Sequence, residues 1–585
     1  MIKFKLKENA IDVTSEHPME DYLKSLGINK PEDFILSPPK EDELDPFLLV
    51  NMDKCIKELH EGFINNKSFF LQVDSDVDGM TSATIFYRFF KGYYPQANID
   101  YRLHEGKEHG VITSTVPTDA DYIILPDSGS MQLEEQQELV NKKKKIIILD
   151  HHTITNMLDD DNIIIVNNQI SPNFSNKALS GAGIVLKVIQ AYSLKYPNMN
   201  IKYNYFYDLA ALGILSDMSD MRTLDNNYIA YQGLHHINNE MFKALLEKQS
   251  YSVKDITNPT KIDIVFYISP LINGVIRAGT QEEKEILFKG FIEEPTEDII
   301  TTNYRGKERN ETYYQFAARL ASNIRNRQNT VKDKYFEFLK QKIDNEELNK
   351  NKIIVVIASK DDEVVVPQNI TGLIAMELLK YYEKPVLVLR PKIEDGELTY
   401  AGSGRGKTAE GFDSFLQLVR DSKYAKYGEG HPCAFGASIS AKDINNFVQE
   451  CNEKLKNVDF SNEYIEVDAI FNYNNINYKM LYEFAYYDYI YGNSIPQPKV
   501  VIQGIYRDSN LTIMGKDNST VKITIDRLPC IKFKDKELVE KLKNHNSGKI
   551  TIIGRPQINN WMGKETTQLF IDNIEIEPIA AKSLF

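Results

Sequence analysis

Acidic residues and histidines recur at short intervals in the first half of the chain. The first group is the run 74–79, DSDVDG, in which three carboxylates occupy alternate positions directly after an apolar stretch. Carboxylates so close together repel one another, and protonation, solvent or divalent cations can relieve the repulsion. A calcium-binding EF-hand loop opens in the same way, but its twelfth position requires glutamate and this chain has Ile85 there. A metal site and an exposed acidic turn remain as alternatives.

Similar groups follow later apolar stretches. The runs are PDSG at 126–129, LDHH at 149–152 and LGILSD at 212–217. An acid at a strand end is also common as a helix cap, and a histidine pair can be buried for structural reasons alone. Taken together, carboxylates and imidazoles form a ligand set that suits two divalent cations such as Mn²⁺ or Mg²⁺ better than zinc.

The surrounding sequence predicts a parallel sheet that would bring these groups together. Short apolar runs alternate with helix-length stretches, which is typical of β-α-β units. The predicted strands are Phe69–Val73, Tyr122–Pro126, Ile146–Leu149 and Ile163–Val166. Helices are predicted at about 181–196, capped by Ser180, and at about 205–215. Because ligands bind at the carboxyl edge of an open parallel sheet, we expect the acids and histidines to meet there.

Composition indicates a globular protein of several domains. The chain has 585 residues, of which 42% are hydrophobic and 26% charged. Its net charge of −14 disfavours a polyanionic ligand unless a basic groove or bound cations are present. The four cysteines form no CxxC pair, so we predict neither disulfides nor a zinc site. We expect a protein without membrane association, in a reducing cytoplasm or, if the source is viral, in the host cytoplasm.

Changes in sequence texture divide the chain into five predicted parts, with an overall α/β fold class. They are an N-terminal helical segment (1–66), a catalytic α/β domain with a parallel sheet (67–280), a charged helical connector without strands (281–352), a second, smaller α/β domain (353–458) and a C-terminal small β-barrel (459–585). The last part is predicted from short strands separated by turn signals.

The order of the acidic motifs resembles that of the DHH phosphoesterase superfamily. Later segments narrow the resemblance to the RecJ-type exonucleases, which are specific for single-stranded DNA. These segments are SPLINGVIRAG (269–279), GSGRGKTAEGFDSF (402–415) and GEGHPCAFG (428–436). In the last of them Glu429 replaces the first of two glycines that the family pairs. NNWMGKETTQLFIDNIE (559–575) is similar to the family's OB-fold domain, so the resemblance extends from about residue 69 to the end.

The resemblance implies a metal-dependent 5′→3′ exonuclease that releases 5′-mononucleotides from single-stranded DNA in recombination, repair or replication. Two divalent cations, Mn²⁺ or Mg²⁺, are the implied cofactors. The implied metal ligands are Asp76, Asp78, Asp127, His151 and Asp217, with Asp127 bridging the ions and Asp74 as an outer member. The pyrophosphatase and oligonucleotidase branches of the superfamily usually have a histidine where this chain has Gln72, so we expect one metal position to be weaker or to be ligated differently.

The resemblance also implies which residues hold the substrate. The implied catalytic residues are His152, Asp127 and Arg277, and Asn273 and Arg277 would contact the DNA strand. The implied terminal-phosphate pocket contains Ser403, Arg405, Gly430 and His431. We predict that residues 402–406 form a glycine-rich loop whose backbone amides assist Arg405, although such a run can also be an ordinary turn.

The implied partner is single-stranded DNA with a 5′ end. A helicase or a single-strand-binding protein is a further candidate partner, and we expect a monomer. Two other functions stay open. One is a phosphodiesterase for short oligonucleotides or cyclic dinucleotides, whose members generally lack the C-terminal barrel. The other is a catalytically inactive DNA-binding scaffold, whose members lose ligand acids that this chain keeps.

Overall fold

The computed structural model describes residues 3–106, 108–197, 202–304, 306–358, 366–394, 396–460, 464–543, 547–561 and 563–578. They belong to two compact units, one formed by residues 1–321 with 465–585 and the other by residues 322–464. The five predicted domain boundaries stay predictions. Among the described residues, no helix is both long enough and apolar enough to cross a membrane.

The N-terminal segment contacts the C-terminal part of the first unit, residues 465–585. Its elements are β1 (Phe4–Leu6), α1 (Pro18–Ser25), α2 (Glu32–Ile35) and α3 (Met52–Ile64). β1 pairs in parallel with the strand Ile465–Val467. Tyr22 donates a hydrogen bond to the carbonyl of Pro496 at 2.5 Å, and Tyr489 donates one to the carbonyl of Ile35 at 2.6 Å.

A five-stranded parallel sheet forms the centre of the first unit. Its strands are β2 (Ser68–Val73), β3 (Asn98–Leu103), β4 (Tyr122–Pro126), β5 (Lys145–Asp150) and β6 (Ile163–Asn167), in the order β3-β2-β4-β5-β6. All four predicted strands are confirmed. The sequence does not predict β3, because this edge strand mixes exposed with buried residues and lacks a continuous apolar run.

Nine helices follow between the strands and after them in this part of the described chain. They are α4 (Val77–Tyr93), α5 (Leu133–Asn141), α6 (Gly181–Lys195), α7 (Tyr207–Ser216), α8 (Leu224–His235), α9 (Glu240–Lys248), α10 (Lys261–Asp263), α11 (Ser269–Ala278) and α12 (Gln281–Phe291). A π-helical turn, Ile264–Ile268, joins α10 to α11. α6 and α7 confirm the two predicted helices, and Ser180 caps α6 by accepting a hydrogen bond from the amide of Gly183.

The predicted all-helical connector is wrong in one respect. Between α12 and the long helix α13 (Tyr313–Asn345), β7 (Ile299–Tyr304) and β8 (Lys307–Thr312) form an antiparallel hairpin. Its turn contains Gly306 with φ +78°, a conformation that glycine adopts readily, and β7 begins with β-branched residues. The hairpin could not be predicted because its second strand is almost wholly exposed and polar and so has no apolar pattern.

The second unit is a smaller α/β structure built on the C-terminal part of α13. Its further elements are β9 (Ile354–Ile357), α14 (Thr371–Tyr382), β10 (Val386–Glu394), β11 (Glu397–Arg405), α15 (Phe415–Arg420), β12 (Ala425–His431), β13 (Ala434–Ser440) and α16 (Ile444–Lys454). The strand order is β12-β13-β11-β10-β9, and β9 with β10 is the one parallel pair among these described strands.

The predicted glycine-rich loop at 402–406 is wrong, because residues 402–405 lie inside β11. This strand pairs with β10 on one side and with β13 on the other, so the sheet uses the backbone amides that were predicted to bind phosphate. The glycines serve close packing instead. A Cβ atom on Gly402 would lie 2.0 Å from the carbonyl oxygen of Val388, and one on Gly404 would lie 2.5 Å from the ring of Phe435.

The C-terminal part contains one mostly antiparallel sheet of seven strands. Its elements are β14 (Ile465–Val467), β15 (Ala469–Asn472), α17 (Tyr478–Tyr486), β16 (Val500–Arg507), β17 (Leu511–Met514), β18 (Thr520–Ile525), β19 (Leu528–Lys532), α18 (Lys536–Lys543), β20 (Ser547–Trp561) and β21 (Lys564–Pro578). The strand order is β15-β16-β20-β21-β19-β18-β17. This part is built mainly of strands, as predicted, but β20 and β21 are not short, since each has 15 residues.

A buried ion pair joins the N-terminal segment to α6 and α8. Lys187 on α6 has no exposed surface and donates hydrogen bonds to Asp225 Oδ1 at 2.7 Å and to the carbonyl of Leu44 at 2.9 Å. The same carboxylate accepts a hydrogen bond from the amide of Leu44 at 2.9 Å. Loss of the lysine would therefore leave a buried negative charge without its positive partner.

We expect Lys187→Met to lower the free energy of unfolding by about 3–5 kcal/mol, because methionine fills the space but leaves Asp225 uncompensated. Urea unfolding followed by circular dichroism measures the change. The double variant Lys187→Met/Asp225→Asn should recover much of the loss. Lys243→Met, which removes a lysine from an exposed pair with Glu240, is the control and should change stability by less than about 1 kcal/mol. Equal effects of both lysine substitutions would contradict the prediction.

Candidate active site

The acids of the first motif lie where β2 ends and α4 begins. Asp76 caps α4, and its side chain accepts a hydrogen bond from the amide of Gly79 at 2.9 Å. Asp78, in the first turn of α4, accepts hydrogen bonds at the N-terminus of α6. Its donors are Ser180 Oγ at 2.9 Å and the amides of Gly181 at 2.7 Å and Ala182 at 3.0 Å. The N-terminus of α6 therefore compensates the charge of this carboxylate.

Glycines allow the acids to approach one another. A Cβ atom at each of three positions would collide with an acidic side chain. The contacts would be Gly79 with Asp74 Cβ at 2.6 Å, Gly181 with Asp127 Cβ at 2.5 Å and Gly213 with Asp78 Oδ1 at 2.4 Å. Any larger residue at these positions would push the carboxylates apart, so the glycines are part of the site.

Asp127 directly follows β4, at the carboxyl edge of the sheet. Its φ is +60°, which aspartate tolerates better than most residues. Asp127 Oδ1 lies 3.1 Å from His151 Nε2 but is buried and accepts no hydrogen bond from the described residues. Burial, together with repulsion from Asp78, Asp76 and Asp150, raises the pKa of Asp127 well above its ordinary value. Such an oxygen costs free energy unless a proton or a cation compensates it.

The described acids and histidines form three overlapping groups. Within each group the ligand atoms lie within 4.8 Å of one another. The groups are Asp74, Asp76 and Asp127; Asp78, His151 and Asp217; and Asp127, Asp150, His151 and His152. Asp127 and His151 each belong to two groups and so connect all three. The structure thus brings together all six side chains that the sequence analysis named as metal ligands.

Burial and repulsion between the carboxylates disfavour the charged forms of the side chains in this cluster. Burial and the nearby Asp78 raise the pKa of Asp217, which ends α7, to about 8 and that of Asp76 to about 6. Burial also lowers the pKa of His151. His151 Nε2 lies 3.9 Å from Asp78 Oδ2, and its Nδ1 lies 4.0 Å from Asp217 Oδ2. All three shifts favour the neutral form, as expected for metal ligands that face one another without an intervening cation.

His152 differs from its neighbour His151 because it is half exposed and has a carboxylate partner. Its Nδ1 lies 2.7 Å from Asp150 Oδ1, and this hydrogen bond raises the pKa of His152 to about 9. Asp150 is buried and also accepts a hydrogen bond from the amide of His151 at 2.7 Å. His152 therefore presents a positive charge to solvent at neutral pH.

Sequence reasoning missed two histidines in the loop after β3. His109 Nδ1 lies 2.7 Å from Asp74 Oδ2, His104 Nε2 lies 3.3 Å from Asp74 Oδ1, and the amide of Gly110 donates to the same oxygen at 3.0 Å. Burial alone would raise the pKa of Asp74, but these two histidines hold it well below its usual range. Gln72 Nε2 lies 3.5 Å from His104 Nδ1. The glutamine that stands in place of the histidine of other branches therefore contacts one of these two histidines.

Helix α11 lies beside the cluster. Ser269 Oγ, at its start, is 2.6 Å from Ser216 Oγ, the residue before Asp217. Asn273 Oδ1 is buried and accepts no hydrogen bond from the described residues. The positive charge of Arg277 attracts Asp76 and lowers its pKa, against the larger effects of burial and Asp78. The structure thus places Arg277 close enough to Asp76 to affect its pKa, and both Asn273 and Arg277 lie on α11.

Ser403, Arg405 and His431 lie on one face of the second unit's sheet. Ser403 and Arg405 on β11 pair with Gly436 and Ala434 on β13, and Ala434 in turn pairs with His431 on β12. Directly paired residues project to the same face of a sheet. The residues that they pair with on β13 are small, and Ser403 and Arg405 are partly exposed while His431 is exposed. Gly430, with φ +130°, precedes His431 at this edge.

The N-terminus of α14 meets the same face, which sequence reasoning also missed. Thr371 Oγ1 lies 2.9 Å from Ser403 Oγ, and a Cβ atom on Gly372 would lie 2.7 Å from Arg405 Nη2. A helix N-terminus beside a guanidinium and a hydroxyl is a favourable environment for an anion. The sequence alone gave no sign that the N-terminus of this helix meets β11.

Comparisons with known proteins agree with this architecture. Residues 69–214 match the DHH family, N-terminal domain, and residues 467–573 match the RecJ OB domain. The putative SPbeta prophage-derived single-strand DNA-specific exonuclease YorK of Bacillus subtilis is 31% identical over 573 residues, which cover 97% of both chains. The single-stranded-DNA-specific exonuclease RecJ of the same organism is 23% identical over 558 residues, which cover 92% of this chain and 64% of that one.

A solved structure shares the fold. RecJ from Thermus thermophilus, crystallised in complex with Mn²⁺, superposes with a TM-score of 0.71 at 16% identity and covers 99% of this chain and 80% of its own. The relationship to YorK extends over nearly the whole length of both proteins. The motifs, the fold and these matches together show that the chain belongs to the RecJ-like proteins of the DHH family.

Proposed function

We propose that this protein is a metal-dependent exonuclease that hydrolyses single-stranded DNA from its 5′ end and releases 5′-mononucleotides. The observation that carries the proposal is the convergence of six acidic and imidazole side chains, among them Asp127, whose buried Oδ1 has no hydrogen-bond donor among the described residues. The names of the relatives, two of them single-strand DNA-specific exonucleases, support the substrate.

The residues present fit two divalent cations, Mn²⁺ or Mg²⁺. Asp76, Asp78, Asp127, His151 and Asp217 would hold them, with Asp127 shared. Asp74 engages His109, His104 and Gly110, which suits a supporting role at the edge of the site. When bound, two such cations lower the pKa of a water molecule and offset the charge that develops on a phosphate. The RecJ crystal structures with Mn²⁺ and with Mg²⁺ support the choice of metal.

The chain's own side chains would position the scissile phosphate. His152, protonated at neutral pH and held by Asp150, donates a hydrogen bond to a non-bridging phosphate oxygen. Arg277 adds a second positive charge beside the acids, and the side chain of Asn273 contacts the strand. These groups fix the phosphate in place, so the attacking water meets it in one orientation.

The second unit would recognise the end of the strand. Ser403, Arg405 and His431, with the N-terminus of α14, form an anion site in which side chains and helix amides replace the predicted loop amides. A terminal phosphate has three free oxygens where an internal one has two, so a site with several donors favours chain ends. The preference for a 5′ phosphate follows from the resemblance to RecJ-type enzymes.

The resemblance also supports the remaining parts of the proposal. They are a role in recombination, repair or replication, a cytoplasmic location, a monomeric state, and a helicase or a single-strand-binding protein as partner. An inactive scaffold is disfavoured because every predicted ligand is present and converges with the others. A phosphodiesterase for short oligonucleotides or cyclic dinucleotides is disfavoured because the RecJ OB domain is present at residues 467–573.

Digestion of single-stranded DNA labelled at one end or the other, with Mn²⁺ or Mg²⁺, tests the proposal. We expect the 5′ label to be released first, as a mononucleotide. Release from the 3′ end, internal cleavage, or activity confined to dinucleotides would each contradict it.

Asp127→Asn should abolish hydrolysis, because it removes the charge shared by both proposed cations, while asparagine keeps the left-handed backbone. In the absence of divalent cations the variant should be more stable than the wild type, since one of several repelling charges is gone. Melting temperatures with EDTA and with Mn²⁺ measure this, and Mn²⁺ should stabilise the wild type far more than the variant. Asp255→Asn, at an exposed loop position, is the control; wild-type turnover in Asp127→Asn refutes the assignment.

The stability of the metal-free protein should depend on pH through Asp217. Its pKa rises from 3.8 to about 8 on folding, so the carboxyl stabilises the fold below about pH 4 and loses this contribution as pH rises through about 8. In EDTA, the melting temperature of Asp217→Asn should therefore match the wild type near pH 4 and exceed it increasingly up to about pH 8. A constant difference across this range would show that Asp217 ionises normally.

Arg405→Gln should raise KM for 5′-phosphorylated strands by about tenfold to a hundredfold, because a charge-assisted hydrogen bond to the phosphate is lost. Strands with a 5′ hydroxyl should be hydrolysed as by the wild type. Steady-state kinetics on matched phosphorylated and unphosphorylated strands measure the difference. Lys392→Gln, an exposed substitution on β10 of the same sheet, is the control. An unchanged preference for the phosphate would place its pocket elsewhere.

A further inference from the structure

An open stripe of side chains runs along α11 and the π-helical turn before it. Residues 266, 270, 273 and 277 are spaced by four, three and four positions, so they share one side of the helix. Their exposure agrees with this spacing. Phe266 is 66% exposed, Arg277 is exposed, and Pro270 and Asn273 are partly exposed. The other side of the helix is buried, as at Ile268, Leu271, Ile272 and Val275.

One end of this stripe lies at the acid cluster. Arg277 attracts Asp76 electrostatically, and Asn273 carries a buried side-chain oxygen that accepts no hydrogen bond from the described residues. At the other end of α11, the contact between Ser269 and Ser216 holds the helix beside α7, which directly precedes Asp217, so the stripe runs alongside the acids. A DNA strand whose phosphate reaches the acids therefore begins its path next to this stripe.

The other end of the stripe presents aromatic rings to solvent. Tyr267, beside Phe266, is 38% exposed. Both rings belong to the π-helical turn Ile264–Ile268, a rare conformation that occurs often at functional sites. Eleven residues separate Phe266 from Arg277, which at a rise of about 1.5 Å per residue corresponds to about 16 Å along the helix. A nucleotide whose phosphate contacts Arg277 would thus be too short for its own base to reach Phe266.

We propose that Phe266, with Tyr267 beside it, forms a stacking site for a base of the single-stranded substrate, a few nucleotides from the phosphate at Arg277. The inference rests on the proposed function, since it takes the strand at the acids to be DNA. Every base has a flat π-surface, so stacking holds a strand without regard to its sequence. Stacking also needs no positive charge, which suits a chain with a net charge of −14.

Kinetics of Phe266 variants on substrates of two lengths test the proposal. Phe266→Ala should raise KM for a 5′-phosphorylated strand of about twenty nucleotides by about fivefold to a hundredfold and leave kcat unchanged. KM for a 5′-phosphorylated dinucleotide, too short to reach the ring, should not change. Phe266→Leu, apolar but without a ring, should resemble the alanine variant, and Phe266→Trp should resemble the wild type. Tyr251→Ala removes an aromatic side chain that is fully exposed and is the control.

Binding of a fluorescently labelled strand in EDTA separates this inference from the proposed function. If the wild type hydrolyses no DNA but Phe266→Ala weakens binding of the long strand, the exonuclease proposal fails and the stacking site stands. Unchanged KM and unchanged binding in Phe266→Ala overturn the stacking site. An equal loss on the dinucleotide and the long strand, or a lowered melting temperature with full activity in Phe266→Leu, also overturns it, because each indicates a structural or merely apolar role.

Discussion

Repulsion between buried carboxylates is the constraint on which this structure depends. Parallel strands bring acids to one edge of the sheet, and glycines such as Gly181 and Gly213 allow them to approach more closely than any other residue would permit. In water such charges would separate, but here the helices that carry them are buried in the core. The fold therefore maintains a concentration of negative charge that it does not itself neutralise, and this is the physical requirement for binding divalent cations.

The compensation that the protein does supply is unevenly distributed. Asp74 has two histidines and a backbone amide, Asp78 has the N-terminus of α6, and Asp150 has His152. Asp127, which belongs to two of the three groups, and Asp217 have far less, and their pKa values rise. Donors at the periphery keep the outer acids in place whether or not a cation is present. The central carboxylates are thus held ready for a cation, and little rearrangement is needed when one binds.

Whether a feature could be predicted depends on the residue pattern that it produces in the sequence. Strands β2, β4, β5 and β6 are buried on both faces and appear as apolar runs, and the motifs at their ends follow in a specific order. The edge strand β3 and the exposed hairpin β7–β8 leave no such signal. His104 and His109 lie after β3, so missing the strand concealed their place at the site. At 402–405 glycine composition predicted a loop, whereas the glycines permit close strand packing; composition does not distinguish these two uses.

The net charge of −14 first argued against a nucleic-acid substrate, and the site shows how the two are compatible. In the proposed function, positive charge is needed only where phosphate is handled, and there it would come from Arg277, from His152 with its raised pKa, and from cations held by the acids. Acidic residues thus become, through bound cations, the means of holding an anion. Elsewhere along the strand, contacts that do not depend on charge would be sufficient, and the proposed stacking of a base on Phe266 would supply one of them.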